Sequence, residues 1–129
     1  MPVLDAGKKV RDDVKEVLDV VAKNDMVLAS GHLHVSETWL VFEEAQRRGV
    51  KRLILTHPEE IVDASMNDVQ GIAAMGAMIE HSLCMFLDGS KFQIAKQGDL
   101  QRYIDAAGVD QTILCSDLGI LPRTVWIRL

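Results

Sequence analysis

The chain has 129 residues, of which 48% are hydrophobic and 26% charged, a composition that predicts one folded domain with a buried core. Its net charge of −5 argues against nucleic acid as the main partner, because binding to phosphates requires a basic surface. No apolar run approaches the roughly 18 residues of a membrane span, and the chain does not begin with a recognisable signal peptide. Two cysteines without a Cys-x-x-Cys pair indicate free thiols, so we expect a cytoplasmic protein without a membrane partner.

The first half of the chain predicts two helices and two strands in alternation. Residues 12–23 have the apolar spacing of an amphipathic helix, and a short buried strand follows at 26–30. A second helix begins near Ser36, a favourable capping residue, and ends at Gly49. Residues 51–56 then form the second predicted strand.

The second half continues this alternation with four helical or turn segments and two further strands. The helical or turn segments cover 59–64, 67–74, 92–96 and 100–107, and the strands cover 77–80 and 111–116. Short apolar runs between amphipathic helices predict an α/β fold, in which helices cover a parallel sheet of four βα units. We expect one domain over 1–119 and an irregular C-terminal tail over 120–129.

A histidine or an aspartate stands at the end of each predicted strand. These residues are His32, His57, His81 and Asp117. The carboxyl ends of parallel strands lie at one edge of a sheet, where ligands and catalytic groups usually bind. Three imidazoles and a carboxylate are suitable ligands for a divalent metal such as zinc. In metal-assisted hydrolysis the ion lowers the pKa of its bound water to about 7, and Asp117 is our candidate to accept the proton.

Each candidate also has an alternative interpretation. His57 could cap the following helix, and Asp117 could cap whatever follows it. Glu80 could face the site in place of His81, because neighbouring residues on a strand face opposite ways. His34 forms a His-x-His pair with His32, and residues two apart on a strand share a face. The residues after His34 favour a loop, which would leave only His32 in the site.

The strand-end motifs Ala-Ser-Gly-His, Thr-His-Pro-Glu, Ile-Glu-His and Cys-Ser-Asp-Leu-Gly resemble those of the amidohydrolase-like metal-dependent hydrolases. The resemblance is to the branch labelled uncharacterised amidohydrolase-related. Members of the superfamily are (β/α)8, or TIM, barrels. The resemblance implies that His32 and His57 match the metal-binding histidines after the fifth and sixth strands. It also implies that Asp117 matches the metal-binding, water-activating aspartate after the eighth strand, and that His81 follows the seventh.

Two parts of the superfamily pattern have no counterpart in this chain, namely the first-strand His-x-His and the fourth-strand bridging ligand. A complete barrel takes roughly 250 residues. The resemblance therefore covers the C-terminal half of a TIM barrel, as a natural half-barrel or a truncated gene product. Such a half-barrel has two unpaired sheet edges, from which we expect a homo-oligomer.

The first functional hypothesis is a metal-dependent hydrolase acting on an amide, ester or related bond of a small molecule. Zinc, or alternatively manganese, would bind among His32, His57 and Asp117, with His81 nearby. The second hypothesis is a catalytically silent relative that serves as an oligomeric scaffold or binds a small ligand. A flavodoxin-like regulatory or binding domain is the third.

Overall fold

The computed structural model describes residues 2–59 and 62–117 as alternating helices and strands. The helices are α1 (Asp12–Lys23), α2 (Val35–Arg47), α3 (Met66–Ala74) and α4 (Gln97–Ala107). The strands are β1 (Val27–Ala29), β2 (Arg52–Thr56), β3 (Met78–Ser82) and β4 (Thr112–Cys115). Short 3-10 turns at Leu83–Met85 and Val109–Gln111 precede α4 and β4.

The four strands form one sheet in the order β1-β2-β3-β4, and every neighbouring pair is parallel. The predicted α/β fold with a four-stranded parallel sheet is therefore confirmed. Because consecutive strands are neighbours, all four carboxyl ends lie at the same edge of the sheet. This topology brings the strand-end side chains into one region of the molecule.

The hydrophobic core lies between the helices and one face of the sheet. Buried residues alternate with more exposed ones along β2 and, in β3, from Met78 to His81, and Leu55 and Ile79 are completely buried. The same cluster contains side chains from all four helices: Leu18, Phe42, Ile72 and Ala107. All four helices within residues 2–59 and 62–117 therefore pack on one face of the sheet, and none of them covers the opposite face.

Two boundaries differ from those predicted by the sequence. Strand β3 extends to Ser82, so His81 lies inside the strand and does not follow it. The helix predicted over 59–64 is wrong, because residues 59 and 62–64 are in turns and coil, and α3 begins only at Met66. The segment 92–96 contains turns. The predicted tail over 120–129 lies outside the described residues.

None of the helices within residues 2–59 and 62–117 combines the length and the apolar character required to cross a bilayer.

Candidate metal site at the strand ends

His57 and Asp117 follow the ends of β2 and β4 in the same unusual backbone conformation. Their φ angles are +48° and +51°, in the left-handed region that non-glycine residues seldom adopt. The backbone N–H of His57 donates to Glu80 O at 3.1 Å, which ties this turn to β3. A left-handed non-glycine residue costs on the order of 1 kcal/mol, and such residues concentrate at functional sites. Both candidates are therefore held in place by their surroundings at an energetic cost.

Ser82, the last residue of β3, connects the two candidates. Its Oγ lies 2.8 Å from His57 Nδ1 and 3.0 Å from Asp117 Oδ2. His57 Nε2 lies 3.5 Å from the same Asp117 oxygen. The side chains of His57 and Asp117 are 11% and 30% exposed, so the group is mostly buried but still accessible to small molecules.

These contacts determine the hydrogen positions in this group. An ionised carboxylate can only accept, so the single hydroxyl proton of Ser82 is donated to Asp117. His57 Nδ1–H must then donate to Ser82 Oγ, which leaves a lone pair on His57 Nε2 when the ring is neutral. This nitrogen lies 3.5 Å from Asp117 Oδ2, a separation at which both atoms could bind the same cation.

His32 lies at the open side of this group. Its ring centroid is 5.9 Å from that of His57, and its side chain is exposed. Gly31 supplies the turn that carries His32 away from β1, with a φ of +57° that suits glycine. The neighbouring Ser30 is buried, and its Oγ accepts the backbone N–H of Thr56 at 3.0 Å. The loops that carry His32 and His57 are thus joined to each other.

His34 does not share this position with His32. It is the capping residue of α2, where Nδ1 accepts the backbone N–H of Ser36. Its Nε2 lies 3.6 Å from Asp63, at the surface. Similarly, Ser65 caps α3, so His57 does not serve as a helix cap.

His81 lies on the opposite face of β3, away from the other three candidates. It is completely buried, and its Nδ1 lies 2.5 Å from Glu59 Oε1. The rings of Phe86 and Tyr103 lie beside it. The structure therefore brings His32, His57 and Asp117 together and does not bring His81 to them. Alternation along β3 instead places Glu80 and Ser82 on the face toward the site.

Ser82 and Glu59 were not identified by the sequence reasoning. Ser82 could have been found by extending β3 by two residues, since the period of two then places it on the site face. Glu59 had no local signal, because its partner His81 is distant in the chain.

Cys115 borders the site next to Ser82. Its Sγ lies 3.1 Å from Ser82 Oγ. Burial, followed by a hydrogen bond to Glu80, raises the pKa of Cys115 to about 11. The group is therefore a neutral thiol at neutral pH, a poor metal ligand and a weak nucleophile.

Within residues 2–59 and 62–117, no group of three or more His, Cys, Asp or Glu side chains is arranged to hold a metal ion. The donor set nevertheless has the required chemistry. His57 presents a free Nε2 with its Nδ1 fixed by a hydrogen bond, which is typical of metal-binding histidines. Asp117 contributes a carboxylate beside it, and His32 is a third donor that reaches the same space only if its exposed side chain turns.

The fold and this site define an α/β protein with a histidine–carboxylate group at the strand ends. The chain belongs to a family of unknown function, DUF6282, whose model matches residues 1–80. The matched range includes His32 and His57 and ends before Ser82 and Asp117. No curated protein and no solved structure matches the chain.

Proposed function

We propose that the protein is a metal-dependent hydrolase-like protein acting on an amide, ester or related bond of a small molecule. His32, His57 and Asp117 would hold a divalent ion, zinc or alternatively manganese. The observation that carries the proposal is the arrangement of His57, Ser82 and Asp117. It brings an imidazole nitrogen and a carboxylate oxygen within 3.5 Å of each other, as two ligands of one ion would require.

The bound ion would supply a water of lowered pKa and would polarise the bond to be broken. The residues of the chain perform the remaining tasks. Ser82 holds the ring of His57 in one tautomer and orients one oxygen of Asp117. The second oxygen of Asp117 is then the base that accepts a proton from water. The exposed ring of His32 borders the side from which a substrate approaches.

The number of ligands is consistent with this proposal. Catalytic zinc sites have three protein ligands and keep one position for water, whereas structural sites are closed by four. The proposed set has three, and none of them is a cysteine. The two cysteines are free, the form expected in the reducing cytoplasm that we propose as the location.

A small-ligand-binding protein without turnover is the second candidate. It is favoured because residues 2–59 and 62–117 contain no group of three or more ligands already arranged around a metal position. In this case the His57–Ser82–Asp117 group would bind a small polar ligand directly, without a metal ion.

Zinc binding tests the metal site, and turnover then separates the two candidates. We expect the wild-type protein to bind one zinc per chain by calorimetry, with a melting temperature raised on the order of 10 °C at a hundredfold excess over Kd. His57→Ala and Asp117→Ala should each abolish both effects. His34→Asn is the matched control, because it removes a nearby histidine and keeps an acceptor for the cap of α2.

Turnover is then measured on a panel of esters and amides with the zinc-loaded protein. Hydrolysis that is lost in Asp117→Ala and kept in His34→Asn supports the hydrolase. Zinc binding with the same background rate in all variants supports the silent form. If zinc neither binds nor raises the melting temperature, the metal site is wrong.

A further inference from the structure

We propose that two copies of this chain associate about a twofold axis parallel to the strands. In this dimer β1 of each copy pairs with β4 of the other, and the two open faces of the sheets enclose a common interior. This inference does not depend on metal binding, because it rests on the sheet alone.

The first observation is the uncovered face of the sheet. Within residues 2–59 and 62–117 all four helices pack on one face, as the shared core cluster shows. Besides apolar and small polar side chains, the opposite face carries Glu80 and, at the start of β2, Arg52, which pairs with Asp25. The residues of this face are Val27, Ala29, Arg52, Ile54, Thr56, Met78, Glu80, Ser82, Ile113 and Cys115. Parallel sheets are almost always covered on both faces, so this face lacks a partner.

The second observation is the chemistry of the two edges. Among the described residues, β1 pairs only with β2, and β4 pairs only with β3. Neither edge strand contains a charged residue or a proline, the features that usually protect an edge. Large exposed apolar side chains lie in or beside both edge strands: Met26, Val27, Val109 and Leu114. Both edges therefore have the character of buried strands.

The third observation identifies the occupant as a second copy. A partner can cover both edges and the open face together if it presents a strand edge on each side. A second copy does so, because its strands run in order from β1 to β4 and are all parallel. Rotation about an axis along the strands places each β1 beside the partner subunit's β4 in the same direction. The two copies together have eight strands, and the interior of a closed eight-stranded barrel is just wide enough to be filled by side chains.

The available area is sufficient for such an interface. Strands about 4.8 Å apart, rising about 3.3 Å per residue, give an open face of roughly 19 by 15 Å. With the two edges added, each copy would bury about 600 Å², or roughly 1,200 Å² for the pair, the lower limit for specific interfaces. The half-buried Glu80 in this face disfavours a lipid occupant.

This arrangement would also enclose the candidate site. The carboxyl ends of both sets of strands would point in the same direction, so the two His57–Ser82–Asp117 groups would lie at one end of a single interior. Water would then reach them only from that end.

The test is the mass of the full chain in solution, measured by light scattering after gel filtration at micromolar concentration and with a chelator present. We expect twice the chain mass of 14.3 kDa. Val27→Lys and Leu114→Lys place charges on the two edges, at residues that are 48% and 51% exposed, and each should give the mass of one chain. Gln70→Lys is the matched control, because it adds the same charge at an exposed residue of α3, the helix that connects the two central strands, and this variant should remain a dimer.

A wild-type monomer would overturn the proposal, as would any assembly other than two chains. A dimer that persists in folded Val27→Lys and Leu114→Lys would also overturn it, because the contact would then lie on another surface. If the edge variants fail to fold, hydrogen exchange of the wild-type protein decides. The outward amides of 27–29 and 112–115 should exchange at least tenfold more slowly in the dimer than expected for unpaired strands, and fast exchange there would contradict the proposal.

Discussion

Glu59 Oε1 lies 2.5 Å from His81 Nδ1, and the two side chains are 2% and 0% exposed. Their outer atoms, Glu59 Oε2 and His81 Nε2, have no hydrogen-bond partner among the described residues. The pair connects the turn after β2 to the face of β3 that the helices cover. The same turn carries His57, whose φ is +48°.

Removing one member of this pair should be strongly destabilising. Glu59→Ala leaves His81 buried without its partner, and we expect a loss of about 3 kcal/mol or more in the free energy of unfolding. Urea denaturation followed by circular dichroism measures this loss. The double variant Glu59→Ala/His81→Ala is the control, since it leaves no unpaired buried group. Losses that simply add in the double variant would show that the two residues are not coupled.

The contact between α2 and α3 yields a second prediction, at Gly71. A Cβ atom at Gly71 would lie 2.8 Å from Trp39 Cη2, and the indole cannot easily move because its Nε1 donates to Asp68 at 2.9 Å. Alanine normally gains up to about 1 kcal/mol over glycine in a helix, but overpacking costs about 1–3 kcal/mol. We expect Gly71→Ala to lower the free energy of unfolding by about 1 kcal/mol.

Gly98 in α4 is the matched control for Gly71, because a Cβ there would meet no heavy atom within 4 Å. Gly98→Ala should be neutral or slightly stabilising. In a Trp39→Phe background, Gly71→Ala should also lose its penalty. Equal stability of both alanine variants in the wild-type background would contradict the steric explanation.

Most of the fold could be predicted because its signals are local. The amphipathic spacing of α1 predicts its observed bounds, Asp12–Lys23, and the apolar run over 111–116 contains the observed β4, Thr112–Cys115. The segment 59–64 was predicted wrongly because long-range contacts shape it. In that segment Val62 is completely buried, and its carbonyl accepts the N–H of Val35 from a distant loop. No local pattern reveals such a bond.

The positions of the site residues were only partly predictable. Parallel strand order was sufficient to bring His57 and Asp117 together. The face that His81 occupies depends on where β3 ends, since a shift of one residue reverses every side chain of a strand. The buried partner Glu59 could be found only from the three-dimensional arrangement.

Asp68 should make the stability of α3 sensitive to acid. Hydrogen bonds from Ser65 and then from Trp39 hold the pKa of Asp68 below its usual value of 3.8. A lowered folded-state pKa means that this stabilisation is complete above pH of about 4 and is lost as pH falls through the lower value. We expect Asp68→Asn to cost about 1 kcal/mol near neutral pH. The difference in free energy of unfolding between this variant and the wild type should become smaller as the pH falls below about 4, as measured by urea denaturation.

Asp110→Asn removes the same charge at an exposed position and is the control for Asp68. Its free energy of unfolding near neutral pH should stay close to that of the wild type. If the difference in free energy of unfolding between wild type and Asp68→Asn stays constant into strong acid, the carboxylate charge has no role in the cap.

Cys115 should react slowly with alkylating reagents although it is only half-buried. Its pKa of about 11 arises first from burial and then from the hydrogen bond to Glu80. At pH about 8 the thiolate fraction is then several hundredfold below that of free cysteine, whose pKa is about 8.5. Iodoacetamide labelling resolved by peptide mass spectrometry should therefore be at least about tenfold slower than for a free thiol, allowing for the greater nucleophilicity of a high-pKa thiolate.

Glu80→Gln removes the negative charge that favours the neutral thiol, so labelling of Cys115 should become faster and its pH midpoint should fall. His34→Asn leaves this environment unchanged and should label at the wild-type rate. Rapid labelling of Cys115 at neutral pH in the wild-type protein would show that the thiol is not held neutral by Glu80 and its surroundings.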